Sequence, residues 1–340
     1  MAVNKFLGWA KKIFKPRTRR YLSCALIEHG FAFDQNNCLR VCTMPNNKGG
    51  GRPLIQRNYN GELIDWDKVF KIKQRQRELQ QSGRILPKCV GCPILTEEDW
   101  DTDDYISEII ITHWNKCNSN CSYCPVVNDQ KLKDSTEYYN ILPAIKDAIK
   151  KKVIRKNALI ELAGGESTIY PEFEELINLL VDNNFSNIVV NTSAIQGSSA
   201  IEKGIKKGSI KIIVSVDAGK KKTHGEIKRV KTYDKVWENL RIYSRAQAKT
   251  KKNDLVRTKY IIVPGKNDTK EEIDLFLRNN IEANIKATAI NVEMDWYEKN
   301  KNNENKHIRE LIEYAYNETK RLNLLCKIYP HAYWILEGIR

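Results

Sequence analysis

The sequence lacks any apolar run of about 18 residues, so no segment is predicted to span a bilayer. It also lacks a signal peptide, because Lys5, Lys11 and Lys12 interrupt the apolar residues near its start. It has no internal repeat of constant period and no low-complexity segment. These absences predict a protein that stays in the cytoplasm.

Acidic residues are also too few to balance the basic ones. The chain has 57 Lys and Arg against 42 Asp and Glu among 340 residues, which gives a formal charge of +15. This surplus favours anionic partners: nucleic acid, phosphorylated metabolites or an anionic membrane surface. Residues 1–20 form a basic amphipathic segment, for which three roles stay open: peripheral contact with the inner membrane surface, packing on the next domain, or a loose tail.

The cysteines are unevenly distributed. Eight of the nine lie before residue 125: Cys24, Cys38, Cys42, Cys89, Cys92, Cys117, Cys121 and Cys124. In a cytosolic chain such clustering indicates metal ligands or catalysis rather than disulfides. Cys326 lies apart and is predicted to be a buried core thiol.

From residue 105 the sequence alternates between strands and helices. The predicted strands are 106–112, 158–163, 188–192, 210–216, 256–263 and 288–292. The predicted helices are 138–152, 171–184, 200–207, 233–246, 270–280 and 307–323, the second starting at Pro171. The alternation predicts βα units around a parallel sheet. We therefore expect an α/β fold: a partial (β/α)6 TIM-like barrel, preceded by a small metal-cluster-binding α+β module.

The segment Cys117-Asn-Ser-Asn-Cys121-Ser-Tyr-Cys124 follows the first predicted strand. Its C-x3-C-x2-C spacing places three thiolates on one tight loop, where they can bind three irons of a cubane cluster and leave the fourth iron open. A structural zinc site, with His113 as fourth ligand, is the alternative. Gly164, Gly165 and Glu166 follow the second strand and are predicted at the same sheet edge.

Together these motifs resemble the radical S-adenosylmethionine (radical SAM) superfamily over about residues 105–300, including the aromatic Tyr123 before the last cysteine. The resemblance implies a [4Fe–4S] cluster on Cys117, Cys121 and Cys124. It also implies bound S-adenosylmethionine, whose reductive cleavage yields a 5′-deoxyadenosyl radical that abstracts hydrogen from a substrate. A small electron-transfer protein is the expected reductant.

The resemblance also implies a cofactor-binding set. Its members are Tyr123, Gly164, Gly165, Glu166, Ser215 and Asp217. The glycines are expected to allow close approach of the ligand, Glu166 to receive its ammonium group, and Ser215 with Asp217 to hold the ribose. Thr192 and Ser193 depart from the family's usual Thr-Asn-Gly, which leaves their role open. Arg257 or Lys259 is expected to meet the nucleoside or the methionyl carboxylate.

The N-terminal cysteines resemble a twitch or SPASM-like auxiliary-cluster module. The expected ligands are Cys24, Cys42, Cys89 and Cys92, around a helix predicted from Trp66 to Gln81. Cys38 is the alternative to Cys42, which the family pattern favours because it follows the hairpin's second strand. A second [4Fe–4S] cluster is expected there, with zinc as the alternative.

These expectations divide the chain into an N-terminal segment (1–20), a cysteine module (21–100), a radical SAM core (101–300), and a C-terminal helix and tail (301–340). The expected substrate is a peptide, a protein or a carbohydrate, by analogy. Alternatives are an RNA-modifying radical SAM enzyme or a non-enzymatic zinc protein that binds nucleic acid. Candidates for a substrate pocket near the last strand and tail are Glu293, Trp296, Tyr297, Tyr329, His331 and Trp334. The alternative, which the spacing of the aromatic residues favours, is that they pack in the core. No catalytic acid or base is assigned.

Overall fold

The computed structural model describes residues 19–42, 53–128, 137–303 and 305–337. The chain divides into two compact units: Met1–His113 with Tyr139–Ala158, and Trp114–Tyr138 with Leu159–Arg340. Most of the predicted basic segment 1–20 lies outside the described residues. Within the described ranges, no helix is long and apolar enough to cross a membrane.

Helices connect most of the strands in the described part of the chain. The strands are β1 (Arg19–Ser23), β2 (Gly30–Asp34), β3 (Cys38–Arg40), β4 (Leu54–Gln56), β5 (Thr96–Trp100), β6 (Ile106–Ile111), β7 (Ile154–Leu162), β8 (Asn187–Thr192), β9 (Ile210–Ser215), β10 (Val256–Ile262), β11 (Ala287–Val292) and β12 (Leu325–Ile328). The helices are α1 (Ala25–His29), α2 (Trp66–Gln81), α3 (Pro125–Asn128), α4 (Leu142–Lys150), α5 (Phe173–Asp182), α6 (Ser199–Lys206), α7 (Lys221–Lys228), α8 (Tyr233–Gln247), α9 (Lys270–Glu282), α10 (Met294–Asn300), α11 (Lys306–Arg321) and α12 (Pro330–Glu337).

The first unit is built on β2, whose five residues are all buried. A strand whose two faces both pack against protein has a mostly apolar sequence. It forms an antiparallel hairpin with β3 and pairs in parallel with β6. Asn36 and Asn37 adopt positive φ (57° and 51°) in the hairpin turn, which Asn tolerates. A segment of the predicted cysteine module thus shares a sheet with the first predicted core strand.

Helix α2 has the predicted bounds, Trp66 and Gln81. It starts where the Asp65 carboxylate accepts a hydrogen bond from the Lys68 N–H (3.0 Å), a typical N-cap. Antiparallel strands β1 and β5 form a separate two-stranded sheet in the same unit.

The second unit is a parallel sheet with interleaved helices. Residues 159–162 of β7 pair in parallel with β8, and the order continues through β9, β10, β11 and β12, each pair again parallel. The prediction of an α/β fold with a largely parallel sheet is confirmed. In such sheets, sites form at the carboxyl ends of the strands, because the connecting loops meet there.

Five elements of this unit were not predicted from the sequence: α3, α7, α10, α12 and β12. Helix α7 offers one apolar side chain to the core, Ile227, and β12 alternates between exposed and half-buried residues. Neither pattern contrasts enough with a polar loop to be recognised. Two predicted helix starts were also early, since α4 begins at Leu142 and α5 at Phe173, two residues after Pro171.

Candidate cofactor site

The cysteine loop, residues 117–124, is held by its own backbone. The N–H groups of Asn120 and Ser122 donate to the carbonyls of Lys228 (3.1 Å) and Ile227 (2.8 Å), in the last turn of α7. The last carbonyls of a helix have no partner inside the helix. The loop therefore satisfies them, and its position is fixed by α7.

Gly165 is required by the residues that lead into this loop. A Cβ atom at this position would lie 2.1 Å from the carbonyl oxygen of Lys116 and 2.6 Å from the carbonyl carbon of Asn115. The backbones also bond, because Glu166 N–H donates to Lys116 O (2.8 Å). The close approach that Gly165 permits here is to the protein backbone, whereas the expected neighbour was a ligand. Gly164 has a φ of +97°, which favours glycine.

The Glu166 carboxylate is buried and strongly hydrogen-bonded. One oxygen accepts from the hydroxyls of Thr168 (2.8 Å) and Thr192 (2.6 Å), and the other accepts from the hydroxyl (2.5 Å) and N–H (2.6 Å) of Ser193. Thr192 and Ser193, whose role the sequence left open, thus orient this carboxylate. The carboxylate also lines the cavity described below.

Ser215 and Asp217 are separated by the structure. Ser215 lines the cavity, whereas Asp217 is fully buried and is not among the lining residues. One Asp217 oxygen accepts from the Ile261 N–H (2.8 Å) and the other from the Tyr123 hydroxyl (2.5 Å) and the Lys228 ammonium. Protein groups therefore occupy the carboxylate that was expected to hold a ribose, and that role stays a prediction.

Tyr123 connects the cysteine loop to the interior of the unit. Its ring packs against Ile227, Ile261 and Val263. Burial, and then the Asp217 carboxylate, raises the pKa of Tyr123 well above its usual value. The hydroxyl is therefore protonated at neutral pH and acts as a donor.

A cavity of about 690 Å³ opens at the carboxyl ends of the strands. Its lining includes the three cysteines of the loop, Tyr123, Gly164, Gly165, Glu166, Ser215, Lys228 and Lys259. This volume is typical of sites for small molecules and cofactors. Burial lowers the pKa of Lys259, which reaches the cavity from β10. Most of the predicted cofactor-binding residues therefore share one cavity.

The lining residues that were not assigned to the site from the sequence include Glu161, Asn191 and Lys228. Glu161 and Asn191 project from β7 and β8 and bond to each other, Asn191 Nδ2 to Glu161 Oε1 (2.8 Å). Lys228 ends α7, an unpredicted helix. No motif marks these residues, because only the sheet order brings them together.

The four expected auxiliary cysteines of the first unit gather in one place. Cys24 and Cys89 are buried with Leu26, Ile27 and Leu86, and Cys42 packs on the same cluster. Burial raises the pKa of Cys24 to about 11 and of Cys89 to about 12, and the charges of the other auxiliary cysteines add to both shifts. A thiol must lose its proton to ligate metal, so metal binding at this site releases protons.

Cys38 differs from this group. Its thiol donates to the carbonyl of Asn36 (3.1 Å) inside the β2–β3 turn. Within residues 19–42, 53–128, 137–303 and 305–337, no three His, Cys, Asp or Glu side chains are grouped so as to hold one metal ion. A cubane cluster binds each cysteine through a different iron, so its ligands do not converge on one point as those of a single zinc do.

Three of the substrate-pocket candidates, Tyr297, His331 and Trp334, pack together, and none of the six candidates lines this cavity. The rings of Tyr297 and His331 stack at 5.2 Å between centroids, and Trp334 lies 5.6 Å from Tyr297. The Glu293 carboxylate caps α10 by accepting from the N–H groups of Asp295 (2.9 Å) and Trp296 (2.7 Å). These contacts assign Glu293 a structural role at the start of α10.

The parallel sheet, the cysteine loop and the cavity define an α/β enzyme that uses a metal-linked small-molecule cofactor. A family model for the radical SAM superfamily matches residues 111–279. The chain belongs to this superfamily, whose members are enzymes that use a [4Fe–4S] cluster and S-adenosylmethionine. The residues present fit this pair, because three thiols and a buried carboxylate line one cavity of suitable size.

Solved structures agree at the level of the fold. Streptococcus suis SuiB bound to precursor peptide SuiA has 14% identity and a TM-score of 0.51, and the match covers 94% of this chain and 75% of that one. SuiB bound to S-adenosylmethionine gives 14% identity and a TM-score of 0.51, over 83% of this chain and 60% of that one. No curated protein gives a significant match.

Proposed function

We propose that the protein cleaves S-adenosylmethionine at a [4Fe–4S] cluster bound by Cys117, Cys121 and Cys124, and that it modifies a peptide or protein. The observation that carries this proposal is the shared cavity: the three thiols and Glu166 line it together at the carboxyl ends of parallel strands. The fold brings these groups together, because Cys124 and Glu166 lie 42 positions apart in the sequence.

When bound, the cluster and S-adenosylmethionine supply a 5′-deoxyadenosyl radical for hydrogen abstraction. The residues of this chain bind these two groups and orient the S-adenosylmethionine. The Glu166 carboxylate, fixed by Thr192 and Ser193, accepts the ligand's ammonium group through charge-assisted hydrogen bonds. The Lys259 ammonium would hold the ligand's carboxylate and the Ser215 hydroxyl would hold its ribose, because both side chains line the cavity. The polar ends of the ligand thus fix its orientation in the cavity.

The peptide substrate is supported by likeness of fold. The match to SuiB with its precursor peptide leaves only about 6% of this chain uncovered, so it extends well beyond residues 111–279 into the N-terminal third. Fold alone does not determine substrate, so this support is analogy and the substrate needs its own test. A carbohydrate and an RNA are the other outcomes of that test.

A second cluster at Cys24, Cys42, Cys89 and Cys92 is the further part of the proposal. Its support is the packing of Cys24, Cys42 and Cys89 in one apolar cluster, together with the hydrogen bond that occupies the Cys38 thiol in the hairpin turn. Four protein ligands leave no iron open, so this cluster would transfer electrons or stabilise the fold. A small electron-transfer protein is the proposed reductant, and residues 1–20 are proposed as a peripheral membrane contact.

Metal content tests the ligand assignments. Anaerobically reconstituted protein is expected to hold about eight irons and about eight sulfides, without zinc. Cys42→Ala is expected to lose about four irons, and Cys38→Ala, a matched control four residues away, none. Zinc in place of the lost iron, or equal loss in both variants, contradicts the auxiliary assignment. A wild-type protein without deoxyadenosine formation on reduction contradicts the main proposal.

Isotope transfer tests the substrate. Reduced enzyme and S-adenosylmethionine are incubated with peptide, oligosaccharide or RNA pools from cells grown in deuterated medium, each with a protiated control pool. Hydrogen abstraction from a peptide is expected to place deuterium in 5′-deoxyadenosine only with the deuterated peptide pool. Deuterium from the oligosaccharide or RNA pool instead would reassign the substrate.

A further inference from the structure

A buried trio joins the cysteine loop to two other parts of the second unit. Tyr123 belongs to the loop, Asp217 follows β9, and Lys228 ends α7. The Lys228 ammonium donates to Asp217 Oδ2 and to the Tyr123 hydroxyl (2.9 Å), which itself donates to the same Asp217 oxygen (2.5 Å). Three groups that are distant in sequence therefore meet at one carboxylate oxygen.

Asp217 is held in place by its backbone and by its side chain. The residue has a φ of +59°, in the left-handed region that few non-glycine residues occupy. The second carboxylate oxygen accepts from the Ile261 N–H (2.8 Å), and the Asp217 carbonyl accepts from the Asn267 amide (2.8 Å). Because backbone and side chain are both held, the direction of the carboxylate is fixed.

Stability alone does not explain a buried ion pair at this place. The Lys228 side chain is 3% exposed and that of Asp217 is fully buried. Removing two charges from water costs about as much as their attraction returns, and apolar replacements of similar volume are often as stable. Lys228 does, however, face the proposed cluster site, because it lines the cavity together with the three cysteines.

We propose that Lys228 is a positioning residue for the cluster. Lys228 holds the cysteine loop through Tyr123, and its positive charge favours the reduced state of the cluster. This inference rests on the ligand set proposed above. Reduction adds one negative charge to the cluster, and a buried cation nearby stabilises that charge because water screens it little. Net charge and burial are among the factors that set cluster potentials.

The test is a redox titration of the cluster followed by electron paramagnetic resonance. Lys228→Met removes the charge, and Asp217→Asn with Lys228→Met removes both charges, so that no unpaired charge stays buried. Lys228→Arg keeps the charge. Lys222→Met is the matched control, because Lys222 lies on the same helix and its side chain is 88% exposed. Tyr123→Phe keeps Lys228 and removes only the hydroxyl.

Lys228→Met is expected to lower the equilibrium constant for reduction at least tenfold, a shift of ~59 mV to a more negative potential for one electron. The control and Lys228→Arg are expected to stay within threefold of wild type. Tyr123→Phe is expected to leave the potential nearly unchanged and to lose iron to a chelator at least threefold faster.

Each result decides part of the inference. An unchanged potential in cluster-loaded Lys228→Met overturns the role of the charge, and unchanged iron loss in Tyr123→Phe overturns the role in holding the loop. Should both charge-deleting variants fail to bind iron, binding by Lys228→Arg supports the inference and failure of Lys228→Arg overturns it. A loop cluster that still forms in Cys121→Ala contradicts the ligand set instead. This variant is measured before any Lys228 variant is compared.

Discussion

The two cysteine groups of this chain are built in opposite ways. The cysteine loop takes three cysteines from residues 117–124 and opens onto a cavity. The auxiliary group takes Cys24, Cys42 and the Cys89–Cys92 pair from three separate segments, and two of these four cysteines are buried among apolar side chains. A ligand set on one loop depends on how that loop is held, whereas a dispersed set depends on the packing of the whole surrounding core.

Each group also has its own buried lysine, with different partners. Lys228 pairs with the Asp217 carboxylate in the second unit. Lys73 in the first unit donates instead to three backbone carbonyls, those of Leu26 (3.2 Å), Ile27 (2.8 Å) and Gly30 (2.9 Å). One lysine is therefore balanced by a formal charge, and the other stabilises the end of α1, the helix that follows Cys24.

The largest expected contrast is in catalysis. Cys121→Ala removes a proposed ligand of the site that binds S-adenosylmethionine, so we expect deoxyadenosine formation to fall by a factor of about 1,000 or more, the effect of losing an essential cofactor group. Cys89→Ala affects only the auxiliary group, and we expect at least half of the wild-type uncoupled cleavage to remain. Equal loss of cleavage in both variants would remove the functional distinction between the groups.

Gly165→Ala tests how the cysteine loop is held. The added methyl group would meet Lys116 O at 2.1 Å, so we expect a loss of about 1–3 kcal/mol in the free energy of unfolding, together with incomplete cluster binding. Gly225→Ala is the control, because its nearest contact is 4.0 Å away and alanine favours the helix. Urea denaturation measures both. A Gly165→Ala protein as stable as wild type would show that the loop moves aside freely.

Lys73→Met tests the buried lysine of the auxiliary group. Its loss removes one donor from three buried carbonyls, and each carbonyl left unsatisfied costs about 1–3 kcal/mol before relaxation. We expect a fall of about 2 kcal/mol or more in the free energy of unfolding, and loss of auxiliary iron before loop iron. Lys71→Met on the exposed side of α2 is the control. Greater loss of loop iron than auxiliary iron would contradict the assignment of Lys73 to the auxiliary group.

The smallest expected effect is a pH dependence of stability, to which one buried histidine in each unit contributes. Burial lowers the pKa of His29 and of His224 to about 4, so both rings are neutral in the folded protein at pH 6. The unfolded chain binds these protons near pH 6.5. Stability from this source is therefore complete above about pH 6.5 and is lost as the pH falls toward 4.

Urea midpoints between pH 7.5 and 5.5 measure this dependence. His29→Phe and His224→Phe are each expected to flatten it, and His307→Gln, on the surface, is not. A slope that stays unchanged in both phenylalanine variants would show that other groups cause the acid sensitivity.

The difference between ligands on one loop and ligands from distant segments also explains which features could be predicted from the sequence. Local patterns were sufficient for α2, for the predicted strands and for the spacing of the cysteine loop. Pairing between distant segments was not predictable: β2 lies beside β6, and Asp217 meets Lys228 from an unpredicted helix. For this reason the motif around Asp217 was recognised while the partners of its carboxylate were not.

The bonds from Asn120 and Ser122 to the end of α7 have one more consequence. A chelating loop normally loses conformational entropy when it closes around its metal, and that loss weakens binding. Here two backbone bonds tie the loop to a helix, and neither of them uses a cysteine thiol. Assembly of the cluster would then require little ordering of the chain, and the loop would serve as a preformed receptor for iron and sulfide.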